Sequence, residues 1–359
     1  MAINEGVKQR DRSLVRGLLE ALPEATLVIG EDDRVVAANA VARSLLPSLR
    51  RDELLARSLR SPDVLDSVAR VRASGRSERV VWLEKVPVER SFEVSIAPFG
   101  DEGFDPAVIL SLRDLTEARR LERMRVDFVA NASHELRTPL AALSGFIETL
   151  QGTAREDSKA RERFLIIMQE QARRMARLID DLLSLSRIEL NAHRRPDTPV
   201  DLAPIVHQVV DGLQTLARDR GVTVQVEAAG ALTVPGDRDE LVRVVENLLE
   251  NALKYGAAGK RVDITLAQDV SSAGEPEALV GVRDYGPGIA PEHLPRLTER
   301  FYRVDVSESR AQGGTGLGLA LVKHILNRHR GRLSIESRPG AGATFVVHLP
   351  VAGSQISDK

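Results

Sequence analysis

The sequence predicts a multidomain α+β chain made of three successive parts: a small α/β segment, a two-helix hairpin and a larger α/β segment. Three observations carry this. Residues 18–115 show short apolar runs of strand texture, broken by polar turns and short helical patterns. From Leu136 to Leu185, apolar residues recur in steps of four and three, the seam of a helical bundle. Beyond Pro196 and Pro199, strand runs and helical patterns alternate again as far as residue 351.

Composition bounds the possibilities. A chain of 359 residues allows about two to three domains, and 43% hydrophobic residues suffice for sizeable cores. Aromatic residues are only 3%, so those cores are built from Leu, Val, Ile and Ala. A net charge of -2 with 28% charged residues gives no reason to expect nucleic acid or an anionic membrane surface as partner. The absence of cysteine excludes disulfides, iron–sulfur clusters and thiol adducts, and fits a reducing compartment. No apolar run reaches the roughly 18 residues of a membrane helix, and the N-terminus has no apolar core of a signal peptide. A cytoplasmic location is expected, with an upstream membrane segment in a longer parent left open.

Taken in order, residues 1–16 read as a polar helix or linker. Ala25–Gly30 and Arg34–Ala38 read as a hairpin turning at Glu31-Asp32-Asp33. Helical patterns follow at Ala40–Leu46 and Asp63–Ala73, then strands at Ser77–Glu84, Ser91–Pro98 and Ala107–Arg113. Asp114–Arg125, with Leu115, Leu121 and Met124 on one stripe, reads as a helical linker that runs into the next helix. Such a rigid element couples its two ends and would pass a signal as a change in packing. The first hairpin helix carries Phe128, Leu136, Leu140, Leu143, Ile147 and Leu150, and ends near Gly152. After a polar connection at Thr153–Lys159, the second carries Phe164, Met168, Gln171, Met175, Leu178, Leu182 and Leu185. A two-helix hairpin buries one stripe only, so two chains are expected to pair as a four-helix bundle. In the last segment, helices are expected at Asp201–Arg218, from Asp237 to Tyr255, and at Leu317–Arg328. Strands are expected at Val222–Glu227, Val262–Ala267, Ala278–Arg283, Arg332–Glu336 and Thr344–Leu349.

The first chemical candidate is His134. It lies two residues from Leu136, about half a turn off the apolar seam, and so faces water. A neutral imidazole can attack an electrophilic phosphorus and carry the group as a phosphoramidate. Glu135 could accept the ring proton or orient the ring, and Thr138, one turn on, could hold a water or a phosphoryl oxygen. Pro139 cannot donate to the carbonyl of Glu135, so a bend just after the histidine is expected. For an isolated His-Glu pair the plain alternative is a solvated surface histidine.

Four further pieces sit in the last segment. Asn247, Asn251 and Lys254, at i, i+4 and i+7, share a helix face that ends at Tyr255. Amide oxygens suit Mg²⁺ and a lysine suits phosphate. Asp284-Tyr-Gly286-Pro-Gly288 places a carboxylate at a strand end, able to accept from an adenine amino group, beside glycines that let the backbone come close. Phe301-Tyr302-Arg303 supplies aromatics and a cation that can approach phosphate. Gly313-Gly314-Thr315-Gly316-Leu317-Gly318 runs into a helix, as a phosphate cradle does. It has no βαβ setting, and no Gly-x4-Gly-Lys-Ser/Thr P-loop occurs in the chain. Each piece alone is a weak signal.

Together they resemble a known family. Ser-His-Glu-Leu-Arg-Thr-Pro-Leu, residues 133–140, resembles the phosphoacceptor box of sensor histidine kinases. The four pieces, in this order, resemble the N, G1, F and G2 boxes of the histidine-kinase ATPase domain, a Bergerat-type α/β sandwich. The order of two strands, small helices and three strands in 17–115 resembles a PAS sensor domain. The resemblance implies a linker at 1–16, a PAS-like α/β sensor at 17–115 and a tail at 353–359. Between them it implies a linker helix with a dimerisation and histidine phosphotransfer hairpin at 116–192, then an ATP-binding catalytic domain at 197–352. It further implies that Asn251 binds Mg²⁺ with Asn247 beside it, and that Lys254, Arg303, Gly314, Thr315, Gly316, Leu317 and Gly318 surround the phosphates of ATP. Tyr255 would lie along the nucleotide, Asp284, Gly286 and Gly288 would meet adenine, and residues 304–315 would form a lid. Residues 144–152 and 167–189 are most similar to phosphate-regulon sensor kinases.

The implied activity is autophosphorylation of His134, transfer to an aspartate on the receiver domain of a separate response regulator, and a regulator phosphatase action that uses Glu135 and Thr138. In the hydrolytic branches of the ATPase fold a glutamate stands where this chain has Asn247, an amide and a poor base. Two alternatives stay open: a degenerate kinase acting as a ligand-sensing scaffold, and an ATP-hydrolysing clamp. No histidine precedes His134, so the PAS-like segment has no axial histidine for haem; its ligand, or its use for dimerisation alone, is open.

Overall fold

The computed structural model describes residues 16–84, 89–100, 107–152, 154–191, 194–228, 230–271, 274–305 and 314–351. The expected tail, nearly all of the N-terminal linker, and residues 306–313 of the expected lid, with Gly313, lie outside the described residues. The chain divides into two compact units, Met1–Val129 and Ala130–Lys359.

The first unit holds a five-stranded antiparallel sheet in the order β2-β1-β5-β4-β3. Its strands are β1 (Ala25–Ile29), β2 (Val35–Ala38), β3 (Glu78–Glu84), β4 (Arg90–Phe99) and β5 (Ala107–Asp114). Three helices, α1 (Ala40–Leu45), α2 (Leu55–Ser58) and α3 (Pro62–Ser74), separate β2 from β3. The sequence pattern did not suggest the short α2. Alternation on β4 and β5 sends Phe92, Val94, Ile96, Val108 and Leu110 inward to meet Leu55, Leu59, Val64 and Val68. Trp82 stacks on Phe92 with ring centroids 5.0 Å apart. Polar residues are buried in this unit too, among them Thr26, Asn39 and Ser67. Asn39 is fully buried, accepts from the N–H groups of Thr26 at 3.0 Å and Ala42 at 2.8 Å, and donates to the carbonyls of Leu22 and Glu24. It caps α1 and ties the hairpin to it, so its burial cost is offset by full hydrogen bonding.

Helix α4 runs from Thr116 to Gln151 and passes without interruption through Pro139. Helix α5 (Ser158–Leu190) starts on an N-cap, Asp157, which accepts from the N–H of Ala160 at 2.9 Å. The two helices form the expected hairpin. Leu178 and Leu185 of the predicted stripe are buried, while Leu140 is 53% and Ile147 43% exposed. Phe146 and Phe164 meet across the hairpin with centroids 5.2 Å apart.

The second unit continues with a five-stranded sheet, β11-β12-β10-β9-β7, in which only β7 and β9 run parallel. The strands are β7 (Thr223–Ala228), β9 (Arg261–Val270), β10 (Pro276–Asp284), β11 (Arg332–Ser337) and β12 (Ala343–Pro350). A small ribbon pairs β6 (Pro199–Asp201) with β8 (Thr233–Pro235), where the sequence suggested only breaks and a turn. Helices α6 (Leu202–Arg220) and α8 (Gly318–Arg328) pack against α7 (Arg238–Tyr255), and α7 packs on β10. The result is an α/β sandwich with its core between one sheet face and three helices. Asp237 caps α7 by accepting from the N–H groups of Asp239 and Glu240. The N–H of Asp237 itself donates at 3.0 Å to Nε2 of His329, a fully buried side chain at the end of α8.

Candidate active site

Within the second unit, a cavity of about 400 Å³ opens between α7, the ends of β10 and β12, the start of α8 and the second hairpin helix. It gathers the sequence-predicted residues Asn247, Asn251, Lys254, Tyr255, Asp284, Gly288, Arg303, Gly314, Thr315, Gly316 and Gly318. Gly286 and Leu317 are not among the lining residues. The N–H of Gly286 donates to Asp284 at 2.9 Å from behind, and Leu317 is 1% exposed at the base of α8.

The two ends of the cavity differ. At one end Asp284 is 6% exposed, and its Oδ1 accepts from the N–H groups of Gly286 at 2.9 Å and Ala343 at 3.3 Å. Burial raises its pKa, and those two bonds oppose the rise. With one oxygen engaged this way, Asp284 can still present the other as an acceptor beside Phe345 and Ile289. The backbone closes tightly here. A Cβ at Gly288, whose φ is 72°, would lie 2.0 Å from the carbonyl oxygen of Arg338.

At the other end the groups are polar and charged. Asn247 donates to the carbonyl of Arg243 at 2.8 Å, which fixes its Nδ2 and leaves Oδ1 as the outward acceptor. A Cβ at Gly318 would lie 2.4 Å from that Oδ1, so the glycine makes room for the amide. Asn251 follows one turn on, and Lys254 is paired with Glu250. Glu246 and Asp181 also line this end. Burial is the main cause of the raised pKa of each, followed for Glu246 by the nearby Glu250.

The hairpin reaches this end as well. His134 is exposed on α4, as its position off the apolar seam predicts. Its neighbour Glu135 is 13% exposed, with Oε2 2.9 Å from Arg303 Nη2 and 3.1 Å from Arg174 Nη2. Arg303 also donates to the carbonyl of Thr315 at 2.8 Å, and its buried Nε has no hydrogen-bond partner among the described residues. The hydroxyl of Thr315 donates to Asp181 on α5 at 2.8 Å and accepts from the N–H of Leu317 at 3.3 Å. Thr138 donates to the carbonyl of His134, one turn back, at 3.3 Å. Tyr302 is held by His293 at 2.7 Å, under the guanidinium of Arg296.

Sequence reasoning did not single out Arg243, Glu246 and Glu250, which line the cavity from the same helix; Arg243 lies one turn before Asn247, Glu250 one turn after it, and Glu246 one turn before Glu250. Arg177, Asp180 and Asp181 carried no local signal, because only docking of α5 against the sandwich brings them to the cavity.

Comparison with known proteins gives three family matches. The family described as "Histidine kinase-, DNA gyrase B-, and HSP90-like ATPase" matches residues 236–353. "His Kinase A (phospho-acceptor) domain" matches residues 124–191, and "PAS fold" matches residues 19–120. The Pseudomonas aeruginosa phosphate regulon sensor protein PhoR is 43% identical over 250 residues, 70% of this chain and 55% of that protein. The Staphylococcus aureus sensor protein SrrB is 28% identical over 336 residues, 93% of this chain and 55% of that protein. The chain thus spans about half the length of these relatives. A solved structure of the histidine kinase ThkA in complex with a response regulator protein gives a TM-score of 0.49 at 20% identity, covering 94% of this chain and 99% of that one. Among the described residues, no helix is long and apolar enough to cross a membrane.

Proposed function

This chain belongs to the sensor histidine kinases of two-component systems, and on that premise we propose that it transfers the γ-phosphoryl group of ATP to His134. The observation that carries this reading is the contact of Arg303 with Glu135. A residue lining the nucleotide-sized cavity holds the residue next to the exposed histidine at 2.9 Å. In the transfer, a ring nitrogen of His134 attacks the γ-phosphorus, the bond from that phosphorus to the bridging oxygen breaks, and ADP leaves. The ring proton passes to an acceptor, for which Glu135 is the nearest carboxyl in sequence. Positioning and charge stabilisation supply most of the rate in such a transfer.

Adenine is assigned to the Asp284 end and the phosphates to the end with Lys254, Gly314, Thr315, Gly316 and Gly318. The oxygen donors of Asn251 and Asn247 fit Mg²⁺, a hard cation that commonly keeps waters and substrate phosphates among its ligands. When bound, it would neutralise charge on the phosphates. Among the described residues, no cluster of three or more His, Cys, Asp or Glu side chains is arranged to hold a metal on its own. Transfer onward is to a carboxylate on a response regulator, and Thr138 is assigned to the reverse task, placing a water for regulator dephosphorylation. The 43% identity to a phosphate regulon sensor favours phosphate-starvation signalling.

Incubation with γ-labelled ATP and Mg²⁺ tests the reading. Acid-labile, alkali-stable label on the wild type, absent in His134→Gln, is expected. An equally labelled His134→Gln would sink it.

A further inference from the structure

The groups assigned above to the phosphates of ATP are engaged by the protein's own carboxylates, and two of these come from the helical hairpin. Glu135 on α4 takes the guanidinium of Arg303 at 2.9 Å, and Asp181 on α5 takes the hydroxyl of Thr315 at 2.8 Å. A third carboxylate, Glu250, takes Lys254 within α7. Carboxylate on guanidinium and carboxylate on hydroxyl are the contacts a phosphate oxygen would make with the same partners. The Thr315 hydroxyl has one proton to donate, and Asp181 already receives it. Arg303 is 5% exposed, so little of its fork is left for a ligand while Glu135 and the Thr315 carbonyl hold it.

We propose that Asp181 and Glu135 are internal competitors of the nucleotide's phosphate groups, and that Asp181 sets how strongly the site discriminates by nucleotide charge. The inference rests on the reading of the cavity as an ATP site. Docking of the hairpin on the cavity and binding of a polyphosphate then oppose each other, and the opposition is reciprocal: whatever tightens the docked contact weakens ATP by the same factor. The penalty grows with ligand charge, so it falls most heavily on ATP, less on ADP and not on adenosine. Arg174 takes part by bonding Glu135 at 3.1 Å, which keeps that carboxylate on the cavity side of α4.

Calorimetric titration of the full chain with Mg-ATP, Mg-ADP and adenosine tests this, comparing wild type with Asp181→Asn and Asp181→Ser. Two substitutions of different size guard against an effect of shape, and the melting temperature of each variant reports folding. Removing the charge is expected to tighten Mg-ATP by about fivefold, the factor that ~1 kcal/mol of unit-charge repulsion at about 4 Å in water corresponds to. Mg-ADP should gain less and adenosine nothing. Unchanged Mg-ATP affinity in both variants overturns the proposal, as does an equal gain for adenosine, which would mean a merely widened cavity. Failure of the wild type to bind any of the three overturns the ATP-site reading itself, an outcome distinct from the first two.

Discussion

Arg303 Nη2 meets Glu135 Oε2 at 2.9 Å, although the two residues are 168 positions apart in the chain. The contact joins a wall of the cavity to the residue after His134, and both side chains are largely buried. Breaking a buried pair by removing one partner leaves an uncompensated charge, so the two ends of this contact are not interchangeable targets.

Glu135→Gln keeps the shape of the side chain and removes its charge and basicity. Phosphohistidine formation should fall by about 100-fold or more, the size of a general-base contribution. Affinity for Mg-ATP should not fall, because Arg303 is released. Parallel labelling and titration separate the two effects, and a variant that loses both would assign Glu135 to nucleotide binding.

Thr138→Ala removes a hydroxyl that already satisfies a helix carbonyl, so the fold should tolerate it. Autophosphorylation should persist while dephosphorylation of a phosphorylated response regulator is lost. Intact dephosphorylation would refute the role given to Thr138.

Leu140 and Ile147 are exposed on the hairpin at 53% and 43%, while Leu178 and Leu185 of the opposite helix are buried. A hairpin with two residues of its apolar stripe exposed and most of the others only partly covered is expected to pair with a second copy. The double variant Leu140→Glu, Ile147→Glu should convert a dimer to a monomer by light scattering across a dilution series. A wild type that is already monomeric at micromolar concentration would end this expectation.

Two glycines separate conformational cost from steric cost. Gly75 closes α3 at φ 66° with nothing within 4 Å of an added Cβ, so Gly75→Ala should cost only about 1–2 kcal/mol. Gly288 adds a backbone oxygen at 2.0 Å to a φ of 72°, so Gly288→Ala should destabilise the ATPase part by far more and abolish nucleotide binding. Thermal melts with and without ATP distinguish the two.

Acidification should weaken the same part through His329. Burial lowers its pKa below the usual histidine value, against the opposing bond to the Ile325 carbonyl. That bond, at 2.8 Å, puts the proton on Nδ1, so Nε2 is free to accept from Asp237 at 3.0 Å. A depressed folded pKa means the neutral form is favoured in the fold. Its stabilisation is present above about pH 6.5, the unfolded value, and is lost as pH falls toward the folded one. Burial lowers the pKa of His324 and His348 as well, so they act with the same sign. The melting temperature should drop as pH falls below about 6.5, and the drop should be smaller in His329→Gln. An identical pH slope in the variant would remove His329 from this account.

Much of this protein is legible in its sequence because the signals are local. Alternation marks β4 and β5, a stripe in steps of four and three marks α5, and Asp237 marks the start of α7. The string from Ser133 to Leu140 and the spacing of Asn247, Asn251 and Lys254 carry their chemistry with them, since one helix face is enough to define each. Short elements whose pairing is distant escaped: α2 spans four residues, and β6 and β8 span three each and form only because they find each other. Tertiary structure alone decided that Asp181 reaches Thr315 and that Arg303 reaches Glu135. Sequence periodicity says which face of a helix is apolar, but not which charged side chain on the other face meets a carboxylate or a guanidinium from another element. That pairing is set by how rigid elements dock, where burial makes an unpaired charge costly and so selects the contacts that neutralise it.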